Sequence, residues 1–286
     1  MKRFVIFLIS TFVFVFFDAM LAGARTGVAF QYGNKSECNS LHSTYDSGET
    51  ATYKIYYNWK SMWMSAGTVN FKVANSNLYN KSAYKITAEG KTFAKFDWFY
   101  KVRDYYETYV DPETKLPLKF VRNIKEGSYS QENMYTFYHD KGEVLMNYYK
   151  RKGKLRSENV TDNISPCAQD LLSSIYYARC LDYSKMKVGD KLYLDLYLDG
   201  EIYPIYLKYL GKEVVDTDLG KFRCVKFSPT LLEGDVFKGN DEMVIYSTDD
   251  DNRVPLLIES PLTVGSVKCY LTNIGGLKYP MASKVN

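Results

Sequence analysis

The chain has 286 residues, in which 37 lysines and arginines are set against 33 acidic residues. So small a positive excess, with the lysines scattered between tyrosines, argues against nucleic-acid binding through a basic surface. Tyrosine is the unusual component, at 27 residues, and its abundance favours half-buried β-sheet.

The N-terminus has the features of a secretory signal peptide. Lys2 and Arg3 precede an apolar run from Phe4 to Phe17, and Ala22-Gly23-Ala24 supplies the small residues of a signal-peptidase site. The run is shorter than the roughly 18 residues that a bilayer-spanning helix needs. We therefore expect residues 1–24 to be removed, leaving a soluble periplasmic protein without a membrane span.

Strand-like alternation begins after an N-terminal extension at residues 25–45. Tyr53, Ile55 and Tyr57 share one face of the first run, and their chain neighbours take the other face. The later run from Lys191 to Leu198 alternates in the same way. Strands with one buried face and one solvent-exposed face are typical of antiparallel sheet.

The stretch YYNWKSMWMSAGTVNF, residues 56–71, is unusually apolar for what we interpret as a connection between two strands. Connections usually face water, and soluble monomers rarely leave a contiguous apolar patch uncovered. Trp59, Met62, Trp63 and Met64 therefore cover the protein's own core, line a ligand groove, or bind a partner. The sequence leaves these three alternatives open.

A second aromatic concentration spans residues 97–109, where Trp98 and Phe99 precede Arg103. The pattern suits either a cavity rim with a polar group or a loop that leads into a core strand. An enzyme that uses scattered carboxylates is the weakest alternative, because no nucleophile–base pair accompanies them. Those carboxylates are Asp97, Asp104 and Glu107.

The linker at residues 151–186 contains the one convincing helix, at about residues 166–182. Ser165 is its expected N-cap, with Pro166 in the first turn. One stripe at helical spacing carries Leu171, Leu172, Ile175, Tyr176 and Arg179. We expect this stripe to pack on sheet, with the guanidinium of Arg179 extended to solvent, paired with a carboxylate or facing a ligand.

An internal repeat relates the two halves of the chain. DPETKLPLKFVRNIKEGS, residues 111–128, aligns without a gap on DDDNRVPLLIESPLTVGS, residues 249–266, at an offset of 138. Residues 46–150 and 187–279 are therefore expected to be copies of one β-meander, followed by a tail at 280–286. Pro117 and Pro255 are expected at equivalent strand starts, where a missing N–H costs least.

Residues that carry catalytic chemistry are scarce. The chain has two histidines, neither with a metal-ligand neighbour, and none of the common hydrolase or nucleotide motifs. The aspartates of residues 248–253 suit a solvated turn better than a calcium loop. No catalytic residue, metal or cofactor is predicted.

Five cysteines follow the signal peptide, which in an oxidising compartment permits two disulfides and leaves one thiol. No two of them form a CxxC pair, so metal ribbons and thioredoxin-like chemistry lose their main support. Cys224 and Cys269 lie in strand-like runs and are expected to be buried free thiols.

Several segments resemble, in their order, a family of exported bacterial proteins known as domain-of-unknown-function family 3108, best represented in Bacteroidetes. They include GETATYKIYYNWKSMWMSAGT, YVDPETKLPLKF, CAQDLLSSIYYAR, KFRCVKFSP and STDDDNRVPLLIES. The resemblance covers nearly the whole mature chain. It implies a cell-envelope protein without an assigned activity, and it supplies no catalytic residue.

The sequence thus predicts an all-β, mainly antiparallel fold in which two duplicated curved meanders form a sandwich or half-barrel with the helix packed on the sheets. The favoured function is a non-enzymatic binding or accessory protein for a lipid-like ligand. The alternative is a scaffold that binds another envelope protein through the apolar stretch. The candidate ligand-binding residues are Trp59, Met62, Trp63, Met64, Trp98, Phe99, Arg103 and Arg179.

Overall fold

The computed structural model describes residues 41–59, 62–98, 100–229, 243–262 and 265–285. The described residues form fifteen strands and two helices. The strands are β1 (Thr50–Trp59), β2 (Met62–Leu78), β3 (Lys81–Thr92), β4 (Arg103–Val110), β5 (Pro117–Glu126), β6 (Tyr129–Tyr138), β7 (Glu143–Arg151), β8 (Lys154–Asn163), β9 (Lys191–Leu198), β10 (Glu201–Thr217), β11 (Gly220–Pro229), β12 (Val244–Thr248), β13 (Pro255–Pro261), β14 (Ser266–Gly275) and β15 (Lys284–Val285). The helices are α1 (Ala94–Asp97) and α2 (Leu171–Cys180).

All the strands belong to one antiparallel sheet, so the predicted all-β class is confirmed. Its order is β8-β7-β6-β5-β4-β3-β2-β1-β14-β13-β12-β11-β10-β9, with β15 beside β11. The pairing of β1 with β14 joins the two halves of the chain. In the described part of the chain β8 and β9 end the sheet without pairing with each other, so the sheet is open.

Local turn chemistry explains why successive strands fold back on each other. Asp199 and Gly200 between β9 and β10 both have positive φ, at 52° and 91°, as do Lys152 and Gly153 between β7 and β8. Two consecutive positive φ values define the hairpin turn whose twist matches that of the flanking strands. The sheet is therefore a meander over most of its width.

The two prolines that the internal repeat aligns occupy similar positions in the sheet. Pro117 is the first residue of β5 and Pro255 the first of β13, each paired with the strand before it. The prediction that both prolines begin strands is confirmed. The common origin of the two halves, and the boundaries drawn for them, stay predictions.

The apolar stretch of residues 56–71 is not a loop, and that prediction is wrong. β1 continues through Trp59 and β2 begins at Met62, with Asn58 opposite Trp63 and Tyr57 opposite Met64 in the ladder. Alternation therefore extends through the ends of both strands, to Trp59 of β1 and from Met62 of β2. An exposed aromatic here lies on the outer face of a strand.

The N-terminal boundary expected for the long helix is also wrong. α2 begins at Leu171 with Asp170 as its N-cap, because the Asp170 carboxylate accepts hydrogen bonds from the backbone N–H groups of Leu172 and Ser173, each at 2.8 Å. After Ser165 the chain makes a turn at Pro166 and Cys167, closed by a 3.2 Å hydrogen bond from the Ala168 N–H to the Ser165 carbonyl. Gln169 forms an isolated parallel bridge with Leu196 of β9, which holds this segment along the sheet edge.

The core lies between α2 and the inner faces of strands from both halves. On β1 it takes Ile55 and Tyr57, as the alternation predicts. Cys224 and Cys269 are buried free thiols, as predicted, Cys180 is a third, and Cys167 is disulfide-bonded. Neither helix in the described ranges has the length or apolarity to cross a membrane.

Candidate functional site

A cavity of about 240 Å³ lies between α2 and the inner face of the sheet. Strands from both halves contribute to its wall, since β1 to β4 and β9 to β14 all supply lining residues. Most of the lining is aliphatic or aromatic. The strand residues include Ala51, Tyr53, Ile55, Val69, Phe71, Ala88, Tyr106, Leu194, Ile205, Leu207, Phe227, Ile245, Ile258 and Cys269.

Strand register places a small residue, Ala88, between two aromatic residues of the cavity wall. Ala88 of β3 is opposite Phe71 of β2 on one side and opposite Tyr106 of β4 on the other, and all three line the cavity. An alanine between two aromatic rings leaves space that a larger side chain would fill. The cavity therefore follows from side-chain size on an otherwise regular ladder.

Helix α2 covers the cavity with the stripe predicted from the sequence. Leu172, Ile175, Tyr176 and Arg179 all line it, at spacings of three and four residues that bring them to one side of the helix. Leu172 and Tyr176 are buried, and Ile175 is half-buried. The apolar face of the helix thus faces the cavity.

A buried ion pair lies beside the cavity. Arg179 donates from Nη1 to Oε1 of Glu49 at 2.6 Å and from Nη2 to Oε2 at 2.9 Å, a bidentate pair, and its Nε and Nη2 also donate to the carbonyl of Asn252. Burial works against the charge of Arg179, but Glu49 more than offsets it, so the pKa of the guanidinium is raised. Of the three arrangements expected for the Arg179 guanidinium, pairing with a carboxylate is confirmed.

Arg253 is the second cation that lines the cavity. It is half-buried in the turn between β12 and β13, and its Nη1 donates to the carbonyl of Arg179 at 3.2 Å and to that of Leu181. Its guanidinium lies 4.2 Å from the ring centroid of Tyr183. The Tyr183 hydroxyl is buried and has no hydrogen-bond partner among the described residues.

Asp170 anchors the N-terminus of α2 below the cavity. Its Oδ2 accepts a 2.6 Å hydrogen bond from the Thr108 hydroxyl on β4. Complete burial raises the pKa of the Asp170 carboxyl to about 6, even though these hydrogen bonds act in the opposite direction. The helix is thereby fixed to the first half of the sheet.

The structure does not bring the predicted site residues together. Arg179 lines the cavity, whereas Met62 and Trp63, consecutive residues of β2 that face opposite sides of the sheet, are 61 % and 43 % exposed and do not line it. Met64 is partly buried against the core. The side chain of Trp59 and the whole of Phe99 lie outside the described residues.

The second aromatic concentration forms a local surface structure. Trp98, which follows α1, is 84 % exposed. Arg103 makes a bidentate pair with Asp97, with Nη2 to Oδ2 at 2.6 Å and Nη1 to Oδ1 at 3.1 Å. Arg103 is thus held by its own loop, and none of these three residues is among those that line the cavity.

Trp63 belongs to a separate cleft on the outer surface, of about 490 Å³. Its lining is polar and aromatic and comes from β1, β2, β14 and the β10–β11 hairpin: Tyr56, Trp63, Asp216, Thr217, Asp218, Lys268 and Tyr270. The Lys268 ammonium lies 5.4 Å from the Trp63 ring centroid and 2.5 Å from Oε1 of Glu259 on the neighbouring strand β13. The ring therefore already has a cation beside it.

Sequence reasoning missed three residues that shape the cavity: Glu49, Tyr183 and Arg253. Glu49 and Tyr183 lie just outside regular elements, where periodicity gives no signal. Arg253 had a usable signal, because it matches Lys115 at the repeat offset, and both have positive φ, at 50° and 59°.

The carboxylates considered for acid–base chemistry make contacts elsewhere in the sheet. The three carboxylates considered for catalysis do not line the cavity. Asp97 pairs with Arg103, Glu107 lies 2.6 Å from the Lys85 ammonium, and Asp104 accepts from the backbone N–H of Lys125. No group of three or more potential metal ligands occurs in the described ranges.

Comparison with known proteins gives a family match. The family described as "Protein of unknown function (DUF3108)" matches residues 52–272. Among curated proteins, none matches the sequence. A similar solved structure is the "Beta-barrel-like Protein of Domain of Unknown Function DUF1849 from Brucella abortus", with 11% identity and a TM-score of 0.48 over 79% of this chain and 96% of that one.

Proposed function

The chain belongs to the DUF3108 family, and we propose that it is an exported, non-enzymatic protein that binds an apolar ligand between α2 and the sheet. One observation carries the proposal: the cavity of about 240 Å³, lined mainly by apolar side chains of both halves. A concave apolar space with a few polar groups is the usual form of a small-molecule site.

The size of the cavity favours an occupant. The cavity, about 240 Å³, is partly open to solvent, so an unliganded protein exposes its apolar wall to water. An apolar ligand that fills the space removes that surface from water, which is favourable by about 25 cal/mol per Å².

The proposal includes the finer architecture predicted from the sequence. Two copies of one curved meander form a half-barrel, and α2 covers its concave side. The signal-peptide features of residues 1–24 support action in the periplasm. A site walled by both halves needs neither a membrane span nor a metal.

Binding of the fluorescent apolar probe N-phenyl-1-naphthylamine tests this function. Wild-type protein should enhance the probe's fluorescence saturably, and Ala88→Phe, which places a ring in the cavity, should weaken binding about tenfold or more. Trp63→Ser, on the outer surface, is the matched control and should bind as wild type does. Absence of saturable binding by wild type, or equal binding by Ala88→Phe, would refute the proposal.

A partner-docking function is the second candidate, favoured by the exposure of Met62 and Trp63 on β2. Apolar side chains at 61 % and 43 % exposure are available to another envelope protein. A stoichiometric partner that co-purifies with wild type but not with Trp63→Ser would support it. Retention of the same partner by the variant would exclude this surface as its docking site.

A further inference from the structure

We infer that the ligand is a single-chain amphiphile with a carboxylate head group, which Arg253 binds while the chain occupies the cavity. The inference rests on the proposed function and adds the chemical class of the ligand. It follows from the charges around the cavity, of which Arg253 carries the one cation without an ion pair among the described lining residues.

Arg253 has hydrogen-bonding capacity to spare. Among the described residues only its Nη1 finds acceptors, the carbonyls of Arg179 and Leu181, and its Nε and Nη2 donate to none of them. The side chain is half-buried. Nε and Nη2 together form one edge of a guanidinium, which matches the two oxygens of a carboxylate.

The three aspartates of the same turn do not form an ion pair with Arg253 in the described structure. Asp249 pairs with Lys212 at 2.8 Å, and Asp251 lies 3.6 Å from His42. Asp250 accepts hydrogen bonds within the turn and from Ser283 at 2.7 Å. None of the three comes within ion-pair distance of Arg253 in the described structure, so its charge is left for a ligand.

The other cation of the cavity is already neutralised. Both oxygens of Glu49 bind Arg179, and both groups are buried. A ligand anion at Arg179 would have to displace a bidentate carboxylate. Arg253 requires no such displacement, and this difference places the head group at the turn.

Tyr183 orients the guanidinium of Arg253. The guanidinium lies 4.2 Å from the ring centroid, and the ring packs edge-on against Phe227, with centroids 5.2 Å apart. Its buried hydroxyl lacks an acceptor among the described residues. A carboxylate bound at Arg253 brings the acceptor that this part of the cavity lacks.

The backbone of Arg253 is held in a conformation that non-glycine residues seldom adopt, with φ at 50°. Lys115 has the corresponding position and a φ of 59°, but its ammonium is buried against the rings of Tyr45 and Tyr84 and donates to the carbonyl of Pro112. The same turn position is thus structural in the first half. In the second half it presents a cation to the cavity.

The volume of the cavity and the charges around Arg253 together determine which class of ligand fits. The cavity exceeds the roughly 150 Å³ that accommodates benzene, which suits one alkyl chain better than the two of a phospholipid. A single guanidinium edge beside three aspartates suits a monoanion and disfavours a dianionic phosphate. A medium-chain carboxylate meets both conditions.

Isothermal titration with dodecanoate, 1-dodecanol and dodecylammonium tests the inference. Wild type should bind dodecanoate about tenfold or more tightly than 1-dodecanol, and dodecylammonium most weakly. Arg253→Gln should lose the preference for dodecanoate while retaining affinity for 1-dodecanol. Arg223→Gln, the same change on the exposed face of β11, should behave as wild type does.

Arg253 also contacts the C-terminal end of α2, so its replacement removes a structural contact as well as the proposed ligand contact. A second variant separates the two effects. Tyr183→Phe removes only a hydroxyl without an intramolecular partner among the described residues, so it should melt at or above the wild-type temperature and bind dodecanoate more weakly. Equal affinity of wild type for dodecanoate and 1-dodecanol would overturn the inference and leave the proposed function intact. Failure to bind any of the three would overturn both.

Discussion

At the scale of single residues, buried polar groups beside the cavity attach helix α2 to the sheet. Glu49 and Arg179 lie far apart in sequence yet form a bidentate pair that joins the start of β1 to the end of α2. Asp170 joins the other end of the helix to β4 through Thr108. Each of these groups is buried, so the loss of a partner leaves an uncompensated polar group.

Removal of one member of the buried pair should be strongly destabilising. Glu49→Gln leaves the charge of Arg179 buried without its counter-ion, and we expect a loss of about 3–5 kcal/mol in the free energy of unfolding, measured by urea denaturation. Glu213→Gln breaks the more exposed pair with Lys226 and should cost less than about 1 kcal/mol. Equal losses in the two variants would contradict a buried, structural pair.

Asp170 gives the stability a specific pH dependence. Its pKa is raised from 3.8 to about 6 by burial, so the folded state holds the proton more tightly than the unfolded state does. The resulting stabilisation is complete below the unfolded pKa and is lost as the pH rises through about 6. A difference of about two pKa units corresponds to about 3 kcal/mol.

Asp170→Asn should remove this dependence, since asparagine still caps the helix but does not titrate. Urea melts from pH 3.5 to pH 7.5 should show wild type losing stability relative to the variant, mainly between about pH 4 and pH 6. A constant difference between the two proteins across that range would show that Asp170 does not titrate as described.

At the scale of elements, α2 is the one long helix of the described structure and it covers the cavity. Its inner stripe was readable from the sequence, because spacings of three and four residues are local. Its start was not, because Ser165 and Asp170 are both good capping residues. The choice between them depends on the bridge from Gln169 to Leu196, a contact with a distant strand.

Leu172→Ala tests the packing of α2. Leu172 is buried and lines the cavity, so truncation should destabilise the protein by about 2–5 kcal/mol in chemical denaturation. Leu155→Ala on β8, where the side chain is 52 % exposed, is the control and should change stability by less than about 0.5 kcal/mol. A loss that small for Leu172→Ala would place the helix on the surface.

At the scale of the whole molecule, one sheet folds around one helix, and the pairing of β1 with β14 brings distant residues together. Alternation predicted the strands and their buried faces, since it needs only neighbouring residues. The cavity was not predictable in this way, because Glu49, Tyr183 and Arg253 come from three distant segments. Trp63 was a candidate because of its residue type, yet its register in β2 directs it outward.

The central claim is that the space between α2 and the sheet holds an apolar ligand, and native mass spectrometry of the purified protein tests it most directly. We expect one small-molecule adduct per chain on wild type, retained by Trp63→Ser and lost from Ala88→Phe. An adduct-free wild type that also takes up neither dodecanoate nor 1-dodecanol when these are added in excess would contradict the account.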